Sequence, residues 1–219
     1  MRRFYAPAVG LAALLFAAAP FIISHAPYES TMGLVQKIFY FHAPIGMVMF
    51  LSAFVCGIAG LLYLMKREPR YDRVSVAAAE LTVLLGTLVL ITGPLWARKA
   101  WGVWWDWEPR LTSSLLLWMI FVAYLLLRRY GGPGSERLSA AVALFGAANV
   151  PFVYVSVNVW RTLHPKTTVV PSLGPGMREP FWFCFVAFLL MYVVVLAARV
   201  RLERQRAEVE QLYLELDER

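Results

Sequence analysis

Four tryptophans, two acids and an arginine crowd into one short run, Trp101-Gly102-Val103-Trp104-Trp105-Asp106-Trp107-Glu108-Pro109-Arg110. That run holds half of the chain's 8 tryptophans and leads directly into apolar sequence at Leu111. Isolated tryptophans are ordinary at the edges of a membrane, and Trp96, Trp118, Trp160 and Trp182 are accounted for in that way. The density between 101 and 107 is not. It predicts a broad aromatic surface beside charge, suited to a flat amphipathic ligand.

Two histidines flank this surface in the chain. His42 lies in Tyr40-Phe41-His42-Ala43-Pro44. Pro44 suits a first helical turn, which places His42 at or near a helix N-cap. The positive end of the helix dipole disfavours an imidazolium there and leaves a neutral ring able to bind metal. His164 lies in Trp160-Arg161-Thr162-Leu163-His164-Pro165, within a connecting loop. Taken singly, each also fits an interfacial or loop histidine bonded to backbone. Taken together on one face, with tryptophans between them, they form the set required for six-coordinate haem iron, with indoles against the porphyrin. Haem carries two propionates, and Arg110, Lys37, Arg161 and Lys166 are the cations available to them, Arg110 and Lys37 being nearest the motif and His42 in sequence. Asp106 and Glu108 orient Arg110 or sit at the N-terminus of the following helix, where acids are favourable. His25 has no aromatic cluster beside it and is left out.

These groups need elements to position them. The chain has 219 residues, 60% hydrophobic and only 16% charged. Its apolar residues fall in long blocks, which excludes an ordinary soluble domain and predicts an all-α polytopic membrane protein. Six spans are predicted, at 4–23, 43–65, 74–95, 111–127, 138–157 and 181–200. They form one haem-handling domain over 1–200, followed by a charged helical tail over 201–219. The first apolar run resembles a secretory signal but is longer than a signal core, so a retained helix is expected.

Only Lys37, Arg98, Lys99, Arg110, Arg161, Lys166 and Arg178 lie in the segments 24–42, 96–110 and 158–180; the rest of the 21 Lys and Arg lie on the side of the termini. The positive-inside rule therefore predicts cytoplasmic termini and an outward-facing Trp stretch. This asymmetry also accounts for the net charge of +7 without nucleic acid,. The outward loops are the long ones, and loops carry function.

Smaller features have quieter readings. Cys56 and Cys184 sit at depths differing by roughly 15 Å, too far for a disulfide, and act as small apolar fillers. Glu80 lies inside the third span and is expected to reach back to Arg70 or Arg73. Asn149 and Asn158 are candidates for interhelical hydrogen bonds. In the tail, Leu202, Val209, Leu212 and Leu216 share a side, with Arg204/Glu208 and Arg206/Glu210 spaced for ion pairs. This is a solvated helix or a contact face for a cytoplasmic partner. No phosphate-binding Gly-Lys loop and no nucleophile elbow occurs.

The pattern Trp101-Gly-x-Trp104-Trp105-x-Trp107-Glu108-x-Arg110-Leu-Thr resembles the tryptophan-rich signature of haem-handling proteins in cytochrome c maturation. Ile38-Phe-Tyr40-Phe-His42-Ala-Pro44 and Thr162-Leu163-His164 resemble the segments that carry the two outer histidines of the haem exporter protein C family. The resemblance covers nearly the whole chain apart from the tail. It implies a non-enzymatic protein of the bacterial inner membrane that presents haem b on the periplasmic face, with His42 and His164 as ligands, and passes it to a membrane-anchored haem chaperone. It further implies an ATP-binding transporter subunit, a second polytopic subunit and a small single-span subunit as partners. The family usually carries Asp where Glu108 stands. The competing readings are a membrane b-type cytochrome that transfers electrons, a related haem–cytochrome c synthase component and a generic transporter. The first usually buries both histidines within helices, the second carries more histidines and a larger outer domain, and the third has no need of the Trp cluster.

Overall fold

The computed structural model describes residues 2–30 and 32–217; Glu218 and Arg219, at the end of the expected tail, lie outside them. Among the described residues six helices follow one another: α1 (Arg2–His25), α2 (Phe39–Lys66), α3 (Pro69–Ala100), α4 (Pro109–Tyr130), α5 (Ser135–Val159) and α6 (Arg178–Asp217). A 3-10 turn, Leu34–Ile38, leads into α2. All six helices are long and apolar enough to cross a membrane, and among the described residues there is no strand beyond one isolated bridge, Glu29 to Gly33. The expected all-helical, six-span architecture is what the chain adopts.

Local chemistry explains the boundaries. Pro69 and Pro109 occupy the first turn of α3 and α4, where a missing N–H costs nothing,. Arg67 ends α2 in the left-handed conformation, its N–H returning to the carbonyl of Tyr63,. The ends move most relative to expectation. Helix α2 begins at Phe39, so His42 is in its first turn but is not the cap, and Pro44 lies inside the helix. Helix α3 runs on to Ala100 and carries Trp96 with it. Helix α6 continues without a break into the charged tail.

Helix α2 lies at the centre, packed on α3, α5 and α6. Its approach to α5 depends on small residues: a Cβ on Gly57 would come within 2.5 Å of the Ala147 methyl,. The main core gathers Val48, Met49 and Ala53 of α2 with Leu81 and Leu85 of α3, Leu117 and Phe121 of α4 and Val150 and Val153 of α5. Helix α1 packs on α6, with Phe16 edge-on to Phe188 at 4.9 Å. Asn149 bridges α5 to the carbonyl of Ser113 in α4, as expected, whereas Asn158 pairs with Thr167 of the following loop. Both cysteines are buried and free.

Ion pairs gather towards the end of the bundle that bears the termini. Asp72 and Arg128 join α3 to α4 at 2.7 Å. Glu80 does not reach Arg70 or Arg73; its carboxylate takes a two-pronged grip from Arg199 of α6, at 2.5 and 2.7 Å. Sequence distance hid this partner, because α3 and α6 meet only in the folded bundle. The tail pairs form as spaced, Arg204 to Glu208 at 2.7 Å and Arg206 to Glu210 at 3.2 Å. Leu202, Val209, Leu212 and Leu216 remain exposed.

Candidate functional site

At the end of the bundle opposite the termini, the helices splay around a cavity of about 600 Å³. It lies between α2, α3, α4 and α5, is roofed by the loop after α5, and is closed on one side by the first residues of α6. Its wall is mostly aromatic and aliphatic, as for a pocket that holds a flat apolar body.

His42 and His164 both line it. An unbroken run of ring contacts joins them: His42 to Trp96 at 5.9 Å, Trp96 to Trp101 at 6.4 Å, and Trp101 to His164 at 6.3 Å. The middle contact is stacked and the outer two are edge-on, both favoured by the ring quadrupoles. Trp101 is held by its N–H to the carbonyl of Ala97, which closes α3, and the chain then turns through Gly102 at φ 79°, a value glycine adopts without strain.

His164 is set by its neighbours. Its N–H donates to the Thr162 hydroxyl at 3.0 Å, and Nδ1 lies 3.0 Å from the carbonyl of Pro165. A carbonyl only accepts, so Nδ1 carries the proton and Nε2 keeps a free lone pair. Burial, reinforced by the Arg110 cation, lowers the basicity of this imidazole to a pKa of about 3. The ring is therefore neutral at physiological pH, the state in which it binds metal. On the other side of the cavity, His42 Nδ1 is 2.9 Å from the Thr92 hydroxyl. Among the described residues no group of three or more His, Cys, Asp or Glu could hold a bare metal ion.

Gly46 leaves room in the wall of the cavity. A Cβ built on Gly46, one turn beyond His42, would touch only Val89, at 3.9 Å. The position thus faces open space within the cavity rather than a packed neighbour.

The tryptophan stretch divides. Trp101 and Trp105 line the cavity. Trp104 and Trp107 are 57% and 74% exposed, outside it, with Trp107 edge-on to Trp105 at 5.8 Å. Glu108 does not line it either. It is buried and its carboxylate accepts from the Leu163 N–H at 2.7 Å and from the Thr162 hydroxyl. From its place as the N-cap residue of α4, at the helix N-terminus as expected for an acid there, it ties the tryptophan stretch to the loop that carries His164.

The cations also divide. Arg110 lines the cavity, its guanidinium donating to the carbonyl of Val153 at 2.6 Å and lying over the Phe50 ring. Lys166 and Arg178 line it as well. Lys37 is elsewhere: its ammonium donates to the carbonyls of Ile23 and Ser24 at 2.8 and 2.7 Å and sits over the Tyr28 ring. It closes the end of α1, where cations are favourable. Sequence reasoning missed Trp96, which is 5% exposed and lies between His42 and Trp101, and Trp182, which lines the cavity from α6. The signal for Trp96 was its position one helical turn and a half before Trp101, read instead as part of an interfacial belt.

Fold and site together define a polytopic helical membrane protein whose aromatic cavity, at one end of the bundle, presents two imidazoles and a rim of cations. Comparison with known proteins narrows the class. The chain matches the family described as Heme exporter protein C over residues 1–215, and it belongs to that family. It is 35% identical over 198 residues to the protein named Heme exporter protein C of Bradyrhizobium diazoefficiens, covering 86% of this chain and 74% of that one. To the protein of the same name in Escherichia coli K12 it is 32% identical over 205 residues, covering 86% and 80%. A Marchantia polymorpha protein named putative cytochrome c biosynthesis ccmC-like mitochondrial protein is 28% identical over 169 residues, covering 76% and 72%.

Proposed function

We propose that the cavity takes haem b as transient cargo and that the protein passes it to a membrane-anchored haem chaperone during cytochrome c maturation. The observation that carries this reading is the run of rings from His42 through Trp96 and Trp101 to His164 around a single cavity. His42 and His164 bind the iron, Trp101 and Trp105 with Trp96 and Trp182 pack on the macrocycle, and Arg110, Lys166 and Arg178 meet the propionates. Glu108, Trp104 and Trp107 act at one remove, Glu108 by holding the His164 loop and the two exposed indoles by offering a surface to the membrane or to the chaperone.

The protein itself performs no bond-making chemistry in this scheme. It binds, orients and releases. The site faces the periplasm of a bacterial inner membrane, with both termini in the cytoplasm, as the distribution of Lys and Arg supports. An ATP-binding transporter subunit, a second polytopic subunit and a small single-span subunit assemble with it.

The test is a visible spectrum of the purified protein, alone and with its chaperone, for wild type, His42→Ala and His164→Ala. Handover requires that both variants stay folded and lose chaperone loading. A stable bis-imidazole spectrum that cycles between oxidation states without any chaperone would instead mark an electron-transferring b-type cytochrome.

A further inference from the structure

His42 is held by two consecutive residues of α3 that no sequence pattern singles out. The Thr92 hydroxyl lies 2.9 Å from His42 Nδ1. The same hydroxyl lies 2.7 Å from the carbonyl of Leu88, one turn earlier. A hydroxyl has a single hydrogen, and a carbonyl can only accept. The hydrogen of Thr92 is thus committed to Leu88, in the back-bonded form common for helical threonine. Towards His42 the oxygen can only accept. Gly93 completes the seat, since a Cβ there would stand 3.3 Å from His42 Cε1. The ring lies against bare backbone.

We propose that Thr92 is a positioning residue for the haem iron: it accepts the Nδ1–H of His42 and so fixes Nε2 as the iron-binding nitrogen. This rests on the function proposed above. It makes the two sides of the cavity chemically alike, because the carbonyl of Pro165 does the same for His164. Two different acceptors, one a side chain and one backbone, leave both imidazoles with Nε2 bare. An acceptor on the far nitrogen also makes an imidazole a stronger donor to metal, and loss of such a partner typically weakens a metal site by about 10–100-fold.

The test uses the full-length protein in detergent or lipid discs, titrated with ferric haem, as wild type, Thr92→Val, Thr92→Ser and His42→Ala. Valine keeps the shape of threonine and removes the acceptor. Its expected effects are haem binding weaker by about 10–100-fold, a midpoint potential shifted upward because the ferric state loses donor strength, and, in the haem-free protein, loss of the Nδ1–H tautomer from the nitrogen NMR signals of labelled His42. Serine restores all three. If His42→Ala loses haem while Thr92→Val binds it as wild type with an unchanged potential and tautomer, the role of Thr92 is overturned and the haem site stands. A serine variant as impaired as valine overturns it too, since the hydroxyl would then be present without restoring the site. If His42→Ala binds haem as wild type does, the haem-site reading fails and this inference falls with it.

Discussion

The carboxylate of Glu108 accepts the backbone N–H of Leu163 at 2.7 Å, across 55 residues of chain. This bond and the second one to the Thr162 hydroxyl fasten the tryptophan stretch to the segment that carries His164. A charged acceptor on a backbone N–H is among the stronger hydrogen bonds available to a protein.

Glu108→Ala removes the acceptor of the part-buried Leu163 N–H and of the Thr162 O–H, at a cost of about 1–3 kcal/mol to the local structure. The expected result is selective. His42 stays in place while the His164 loop loosens, so bound haem shifts from six-coordinate low-spin towards five-coordinate high-spin. Visible and electron paramagnetic resonance spectra of the haem-loaded variant check this. A low-spin spectrum identical to wild type would show that the loop is held by something else.

Gly46→Leu is expected to abolish haem binding without unfolding the protein. The nearest atom to a Cβ at this position is Val89 Cγ2 at 3.9 Å, so the larger side chain enters the cavity rather than the core. Gly46→Ala is expected to bind haem less tightly while raising helix stability, by up to about 1 kcal/mol. Haem titration beside thermal unfolding followed by circular dichroism separates the two effects.

The basicity of His164, lowered to a pKa of about 3 by burial and by Arg110, gives a pH profile. An exposed histidine near its usual value of about 6.5 loses metal affinity about tenfold per unit below that pH, because a proton competes for the nitrogen. Here the competing proton binds only far lower, so the contribution of His164 to haem affinity should be flat from pH 8 to pH 5. The haem-free loop, by contrast, depends on pH. The unfolded state takes up a proton near 6.5 and the folded one does not, so the loop's stability is full above that pH and declines as pH falls from 6.5 towards 3. Equilibrium haem binding across this range, compared between wild type and His164→Ala, tests the first point, and proteolytic susceptibility of the loop tests the second.

At the opposite end, Arg199 grips both oxygens of Glu80 and also reaches Glu203 at 2.9 Å. The side chains of the pair are about a third exposed, which weakens it relative to a fully buried one. Glu80→Ala is expected to lower stability by about 1–2 kcal/mol and to leave haem affinity unchanged, because the cavity is at the other end of α3 and α6. The exchange Glu80→Arg with Arg199→Glu should recover part of the loss, measured by thermal unfolding in detergent.

The sequence by itself determined six long apolar spans, the dense tryptophan stretch, two histidines in segments on the same side, and the ion pairs of the tail. Each of these depends on residues close together in the chain, through hydropathy, composition or helical spacing. Helix ends were less legible: α3 continues to Ala100 and takes Trp96 with it, because apolar periodicity does not mark where a helix leaves the membrane. The tertiary structure alone decided which side chains of distant segments meet. Lys37 went to the end of α1, Lys166 and Arg178 to the cavity, Glu80 to Arg199, and Glu108 to the loop of His164. The reason is physical. A long polar side chain can satisfy itself on any partner within reach of its tip, and which partner is in reach is fixed by the relative rotation and depth of packed helices, not by the order of residues along any one of them.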